Sequence, residues 1–223
     1  MDMTPERLDL CERIIGAAQA MNASGLNQGT SGNISARWGD GLLITPSGMP
    51  YDQLGPRDIV GLDWDGRVDG VHKPSSEWRI HRDILQARPE AGAVVHAHPI
   101  YATAFAMNRT PIPAVHYMVA AGGGSTIPVA DYATFGTPEL SENVLAALSD
   151  RTCCLMANHG LVATGADVAK ALWLAEEVEA LAHQYATALQ VGTPVVLSDA
   201  EIERVLEKFK DYGPRGSDAD STA

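Results

Sequence analysis

Two histidines spaced two apart, His96 and His98 in the run Val94-Val95-His96-Ala97-His98-Pro99, have the types and spacing to hold a metal. The β-branched residues leading into them predict a buried strand. Strand side chains alternate faces, so both imidazoles project the same way. Pro99 stops the ladder and places the pair at a strand end. Two neutral imidazoles converging there are half of a metal site; two core histidines bonded to backbone are the other reading of the same pattern. His159 has a similar setting, in Asn158-His159-Gly160 after the apolar run Cys153–Ala157. If the two strand ends are neighbours, His96, His98 and His159 make a three-imidazole site. Neutral ligands leave a divalent ion its full charge, which suits a Lewis acid with a position open to substrate. A structural zinc site would need a fourth protein ligand and more often uses thiolates.

Glu77 is the natural acid/base partner. It follows Ser75-Ser76 at a predicted helix start, where free N–H groups favour anions, although a first-turn carboxylate is also ordinary helix-dipole chemistry. Three segments rich in Gly and hydroxyls can present anion donors without cationic side chains: Gly29 to Asn33 (with Gly32), Thr45-Pro46-Ser47-Gly48, and Ser75-Ser76. Together they read as a phosphate cradle. Separately each is a turn, and none is a Walker or dinucleotide fingerprint.

The elements that must position these groups are legible from pattern. Thr4-Pro5-Glu6 starts a helix that Ser24-Gly25 ends. Ile34 to Arg37, Leu42 to Thr45 and Ile59 to Leu62 read as strands joined by Gly-containing turns. A second helix opens at Pro74-Ser75-Ser76-Glu77, with Trp78, His81, Ile84 and Leu85 as its inner face. The His96/His98 strand follows, then a short helix near Tyr101 to Met107. Pro111 to Pro138 has no clear period, and a stretch that long should be functional or interfacial. Further helices start at Thr137, at about Asp167 and at the capping box Ser198-Asp199-Ala200-Glu201. The long one, ending near Gln190, should bury Val168, Leu172, Ala175, Val178, Leu181 (or Ala182) and Tyr185. Interleaved strands and helices with hairpin-like connections predict an α/β/α sandwich on a mostly antiparallel or mixed sheet. One domain spans residues 1–212, and the small, polar tail 213–223 is expected to be disordered.

Composition narrows the function. The 223 residues are 45% hydrophobic and 20% charged, with a net charge of −12 and no Lys/Arg cluster. That excludes a nucleic-acid or anionic-membrane partner. No run spans a bilayer and no signal peptide is visible, so a cytoplasmic location is expected. Three cysteines, Cys11, Cys153 and Cys154, read as reduced, buried thiols. His72, His81, His116 and His183 read as packed or loop histidines, and Glu176-Glu177-Glu179 as a solvated face or subunit contact. No lysine sits in an obvious apolar pocket to act as a Schiff-base nucleophile, Lys73 being the nearest candidate.

Five motifs in order, Gly-Thr-Ser-Gly-Asn-Ile-Ser at 29–35, Thr-Pro-Ser-Gly at 45–48, Lys-Pro-Ser-Ser-Glu at 73–77, His-Ala-His-Pro at 96–99 and Asn-His-Gly at 158–160, make a recognisable set. With them, the chain resembles the class II aldolase/adducin superfamily, nearest the branch that cleaves L-fuculose 1-phosphate. Tyr132-Ala133-Thr134-Phe135-Gly136-Thr137 and Lys208-Phe209-Lys210-Asp211-Tyr212-Gly213 extend the likeness over nearly the whole chain. The resemblance implies zinc (or manganese, iron or cobalt) on His96, His98 and His159. Glu77 would be acid/base and a further ligand until substrate displaces it. It implies phosphate on Gly32, Asn33, Thr45, Ser47, Gly48, Ser75 and Ser76, and a substrate pocket that includes Asn27, Phe135 and Tyr212. Tyr117 would reach the site of the adjacent subunit in a four-fold homotetramer. The implied reaction is reversible cleavage of a ketose 1-phosphate, such as a 5-deoxy- or 5-methylthio-ribulose 1-phosphate, to dihydroxyacetone phosphate and an aldehyde. Similar pentulose-phosphate 4-epimerases carry Asp where Glu77 stands, methylthioribulose-phosphate dehydratases keep a similar metal and glutamate, and adducin-like scaffolds lack the histidines.

Overall fold

Four helices begin where a side chain satisfies their free N–H groups. Thr4 accepts from Arg7 N at the start of α1 (Pro5–Ala23), and Thr137 from Leu140 N at α4 (Pro138–Ala147). Asp167 accepts from Lys170 N at α5 (Val168–Val191), and Ser198 from Glu201 N at α6 (Asp199–Phe209). The remaining two are α2 (Trp78–Ala87) and α3 (Ile100–Met107). These elements are those of a computed structural model describing residues 3–210; Tyr212 and the tail 213–223 lie outside the described residues.

The strands are β1 (Asn33–Arg37), β2 (Gly41–Ile44), β3 (Val60–Asp63), β4 (Val68–Asp69), β5 (Ala93–Ala97), β6 (Ile112–Pro113), β7 (Thr126–Ile127), β8 (Val129–Ala130), β9 (Cys153–Met156) and β10 (Gly160–Gly165). Eight of them form one sheet in the order β4-β3-β2-β1-β5-β10-β9-β8, antiparallel throughout except for the β8/β9 pair. β6 and β7 form a separate ribbon. Strand alternation sorts the core into two layers. Ile34, Ala36, Val95, Ala97 and Leu161 face α1, α3 and α5. Leu42, Ile44, Val94 and Val162 face α2 and α4. This is the expected α/β/α sandwich. A smaller cluster of Ala114, Ala120 and Ile202 seats α6 beside the 3-10 helix Tyr117–Gly122. No helix among the described residues is long and apolar enough to cross a membrane.

Several expectations need correction. β10 is an additional strand: Ala157, Asn158 and His159 form a tight turn, with Asn158 at a φ of 54°, and the chain runs straight back along β9. β4 and the ladders between Pro111 and Pro138 are two-residue pairings, too short to carry a period. On α2 Ile80 joins the expected His81, Ile84 and Leu85 in the buried face, whereas Trp78 is half-buried beneath the guanidinium groups of Arg79 and Arg82. α5 buries Ala171 and Leu174 as well, and leaves Leu172 and Tyr185 half-buried. It touches α1, α3 and the sheet at once, so its apolar stripe is wider than a single face.

Glu179 belongs to no solvated face. Its two carboxylate oxygens accept from Tyr101 N (2.9 Å) and Ala102 N (2.7 Å), capping α3, whose own N-cap residue Pro99 offers no side-chain acceptor. Burial pushes the carboxyl up, against the lowering effect of those N–H donors. Glu179→Ala leaves the donors unpaired beneath α5, and is expected to destabilise the fold by about 2 kcal/mol, or roughly 4–8 °C in Tm. An unchanged melting curve would remove Glu179 as the cap.

Candidate active site

β5 fixes two of the imidazoles. Its register places His96 across from Asn33 of β1 on one side and from Val162 of β10 on the other. Val94 and His96 therefore point to the α2 side, and His98 follows just past the strand end. His159 arrives on the β9–β10 turn. The end of β9 is not itself next to β5; β10 lies between them, and its first residue, Gly160, follows His159 directly. A Cβ on Gly160 would lie 2.4 Å from Ala97 O and 2.6 Å from His98 Cδ2. Gly160→Ala must therefore displace β5 or the His98 ring. We expect it to lower metal content and kcat at least about tenfold, as positional errors of an ångström do at reacting centres. Wild-type values for both would show that the close approach is dispensable.

The three rings and Glu77 converge. Their ligand atoms lie within 4.8 Å of one another. His96 Nε2 is 3.0 Å from Glu77 Oε2 and 2.9 Å from His98 Nε2, and His159 Nε2 is 3.2 Å from Glu77 Oε1. Glu77 is the residue before α2, and its side chain turns inward instead of capping the helix. It is 4% exposed, and its Oε1 has no hydrogen-bond donor. Burial pushes its carboxyl up, but the imidazoles of His96 and His159 beside it outweigh this and hold it well below the usual carboxylate range. His98 is driven down to about 3, mainly by burial and then by its two neighbours, so the ring is neutral. His96 is held up by Glu77 against its own burial. His96 Nδ1 donates to Leu161 O at 2.8 Å, which leaves Nε2 as a lone-pair donor facing the cluster. Three ring nitrogens and a carboxylate oxygen with an unpaired buried oxygen are the donor set of a catalytic divalent-metal site. The residues fit the ion.

Above the cluster opens a cleft of about 330 Å³. Of the expected site residues, Gly32, Ser47, Gly48, Ser75, Ser76, Glu77, His98, Phe135 and His159 line it, so the three hydroxyl- and Gly-rich segments share one rim. Asn27, Asn33, Thr45 and His96 are buried beside it. Asn27 accepts from His98 N through Oδ1 (3.3 Å), and Thr45 Oγ1 accepts from Ile34 N (3.2 Å). Asn33 Nδ2 donates to Glu77 Oε2 at 3.1 Å. Tyr117 is about half exposed, stands away from this lining and rests its ring against His116. Tyr132 and Asn158 line the cleft without having been singled out from sequence. Both belong to the quoted motifs without having been given a role, and shared motifs with Phe135 and His159 were the available signal.

A sheet that gathers three histidines and a glutamate beneath a hydroxyl-lined rim has the make-up of a metal-dependent enzyme's active site. Residues 12–186 match the family described as Class II Aldolase and Adducin N-terminal domain, and the chain belongs to that family. It is 54% identical over 211 residues to L-fuculose phosphate aldolase of Escherichia coli O6:H1, covering 94% of this chain and 98% of that one. It is 53% identical over 211 residues to the 5-methylthioribulose-1-phosphate/5-deoxyribulose-1-phosphate aldolase of Rhodospirillum rubrum, covering 95% and 96%. The solved structure of an L-fuculose 1-phosphate aldolase superposes with a TM-score of 0.88 at 40% identity, covering 91% of this chain and 96% of that one. The chain is a class II aldolase, an aldehyde-lyase.

Proposed function

We propose that this aldolase reversibly cleaves a ketose 1-phosphate, either L-fuculose 1-phosphate or a 5-deoxy- or 5-methylthio-ribulose 1-phosphate, to dihydroxyacetone phosphate and an aldehyde. The observation that carries the reading is Glu77: a buried carboxylate, one oxygen without a donor, poised between three imidazoles and a rim of hydroxyl and backbone donors. The rim residues Gly32, Ser47, Gly48, Ser75 and Ser76, with Thr45 beneath them, offer N–H and O–H groups to the phosphate. Neutral donors suit this task in a chain of net charge −12, whose overall field opposes anions. His96, His98 and His159 hold a divalent ion, with zinc the first candidate, and the ion supplies Lewis-acid charge for negative charge developing on substrate oxygens. Glu77 delivers a proton to C3 of the three-carbon product in cleavage, and removes it in synthesis. Tyr117 of an adjacent subunit, in a four-fold tetramer, takes the C4 hydroxyl proton as the C3–C4 bond breaks. Phe135 and Tyr212 shape the aldehyde end. The buried free thiols Cys11, Cys153 and Cys154 accord with a reducing, cytoplasmic setting.

Incubating the purified protein with each of these ketose phosphates and measuring dihydroxyacetone phosphate tests the reading. Release from at least one is expected, with kcat/KM ranking the sugars. A 4-epimerase or a dehydratase would consume its pentulose phosphate and release none.

A further inference from the structure

Behind Glu77, away from the cleft, runs a line of polar side chains that the reaction as described does not use. Asn33 Oδ1 lies 2.5 Å from His81 Nε2, and His81 Nδ1 lies 2.7 Å from Ser35 Oγ. Ser35 and His81 have no exposed surface, and Asn33 is 3% exposed. Polar groups this deep are kept only when every donor finds an acceptor. That condition fixes each proton. Asn33 Nδ2 has two acceptors in front of it, Glu77 Oε2 at 3.1 Å and Ser31 O at 3.3 Å, so both amide hydrogens point there and Oδ1 faces His81. His81 must then carry its proton on Nε2, and its Nδ1 receives the hydroxyl of Ser35. Burial holds His81 down at about 3, which keeps the ring neutral. Every hydrogen bond in the line donates toward Glu77.

We propose that His81 is a positioning residue for Glu77: its Nε2–H locks the Asn33 amide so that Nδ2, and not Oδ1, meets the carboxylate. Were the amide reversed, a carbonyl oxygen would face Glu77 Oε2 and Ser31 O, and a donor would face His81. The proposal rests on Glu77 acting as the acid/base.

His81→Asn and His81→Gln make a matched test on the metal-loaded enzyme. The amide nitrogen of Gln reaches the place of Nε2, whereas that of Asn reaches only the place of Nδ1. His81→Asn is expected to lower kcat about 10- to 100-fold with KM and metal content little changed, and His81→Gln to restore most of the loss. Equal kcat in the two variants, whether high or low, would overturn the proposal, as would losses that merely follow Tm. Introduced into Glu77→Gln, the His81→Asn change should cost little further, because its target is gone; a full additional loss would place its effect elsewhere. Near-wild-type turnover of Glu77→Gln alone would instead refute the acid/base role. If His81→Asn does not fold, Asn33→Ala decides. Reduced kcat with unchanged inhibition by inorganic phosphate supports the positioning of Glu77 through Asn33, and weakened phosphate inhibition with unchanged kcat returns Asn33 to the phosphate site.

Discussion

A Glu77→Gln enzyme is expected to keep its metal and to lose about 10²- to 10⁴-fold in kcat, the usual worth of a positioned acid or base. The substitution is nearly isosteric, and the surroundings dictate how the amide sits. Asn33 Nδ2 donates to Oε2, so the Gln carbonyl takes that place. The amide nitrogen falls where Oε1 was, 3.2 Å from His159 Nε2. The pocket keeps its shape, the three imidazoles are untouched, and KM should change little. The chemistry is lost because an amide cannot carry a proton between substrate and site. Exchange of dihydroxyacetone phosphate hydrogens with deuterated solvent isolates that transfer, and should fall in step with cleavage. Turnover within a few-fold of wild type, or exchange that persists while cleavage fails, would remove Glu77 from the proton-transfer role.

How much of this was legible beforehand depended on the range of the interaction concerned. Helix starts are written in adjacent residues, and Thr4, Thr137, Asp167 and Ser198 cap their helices as the sequence predicts. The convergence of His96 and His98 follows from period-two geometry alone. His159 joined them only on condition that two strand ends were neighbours, and the neighbour proved to be β10, hidden because Gly160 looks like the end of an element. His81 read as a packed histidine, and it is packed. Its contact with Asn33 links residues 48 positions apart. No local pattern marks such a pair, since it exists only once α2 is laid across β1. Glu179 was misread for the same reason: three acidic residues in four look solvated until α3 presents its N-terminus to one of them.

Removing His98 tests the metal itself. His98→Ala should weaken metal binding about 100-fold or more and take cleavage to background, since losing a ligand exceeds the 10- to 100-fold typical of losing an outer partner. His98 suits the test better than His96, which is fully buried and bonded to Leu161 O, so that its loss would also open the sheet. His98 stands past the end of β5 and lines the cleft. A ligand that binds the folded state stabilises it by about 4 kcal/mol at a thousand times its dissociation constant. A chelator should therefore lower the Tm of wild type by several degrees and leave His98→Ala almost unmoved, a difference that needs no activity assay. Zinc, manganese, iron and cobalt added back singly to the chelated wild type would then rank the metals by recovered turnover, because a three-nitrogen set with one carboxylate accepts them all. Without the ion, a proton on His96, which Glu77 favours, is what remains to offset the buried carboxylate's charge. An enzyme whose melting point and turnover both ignore the chelator would show that protons suffice, and that these imidazoles serve the fold and not a metal.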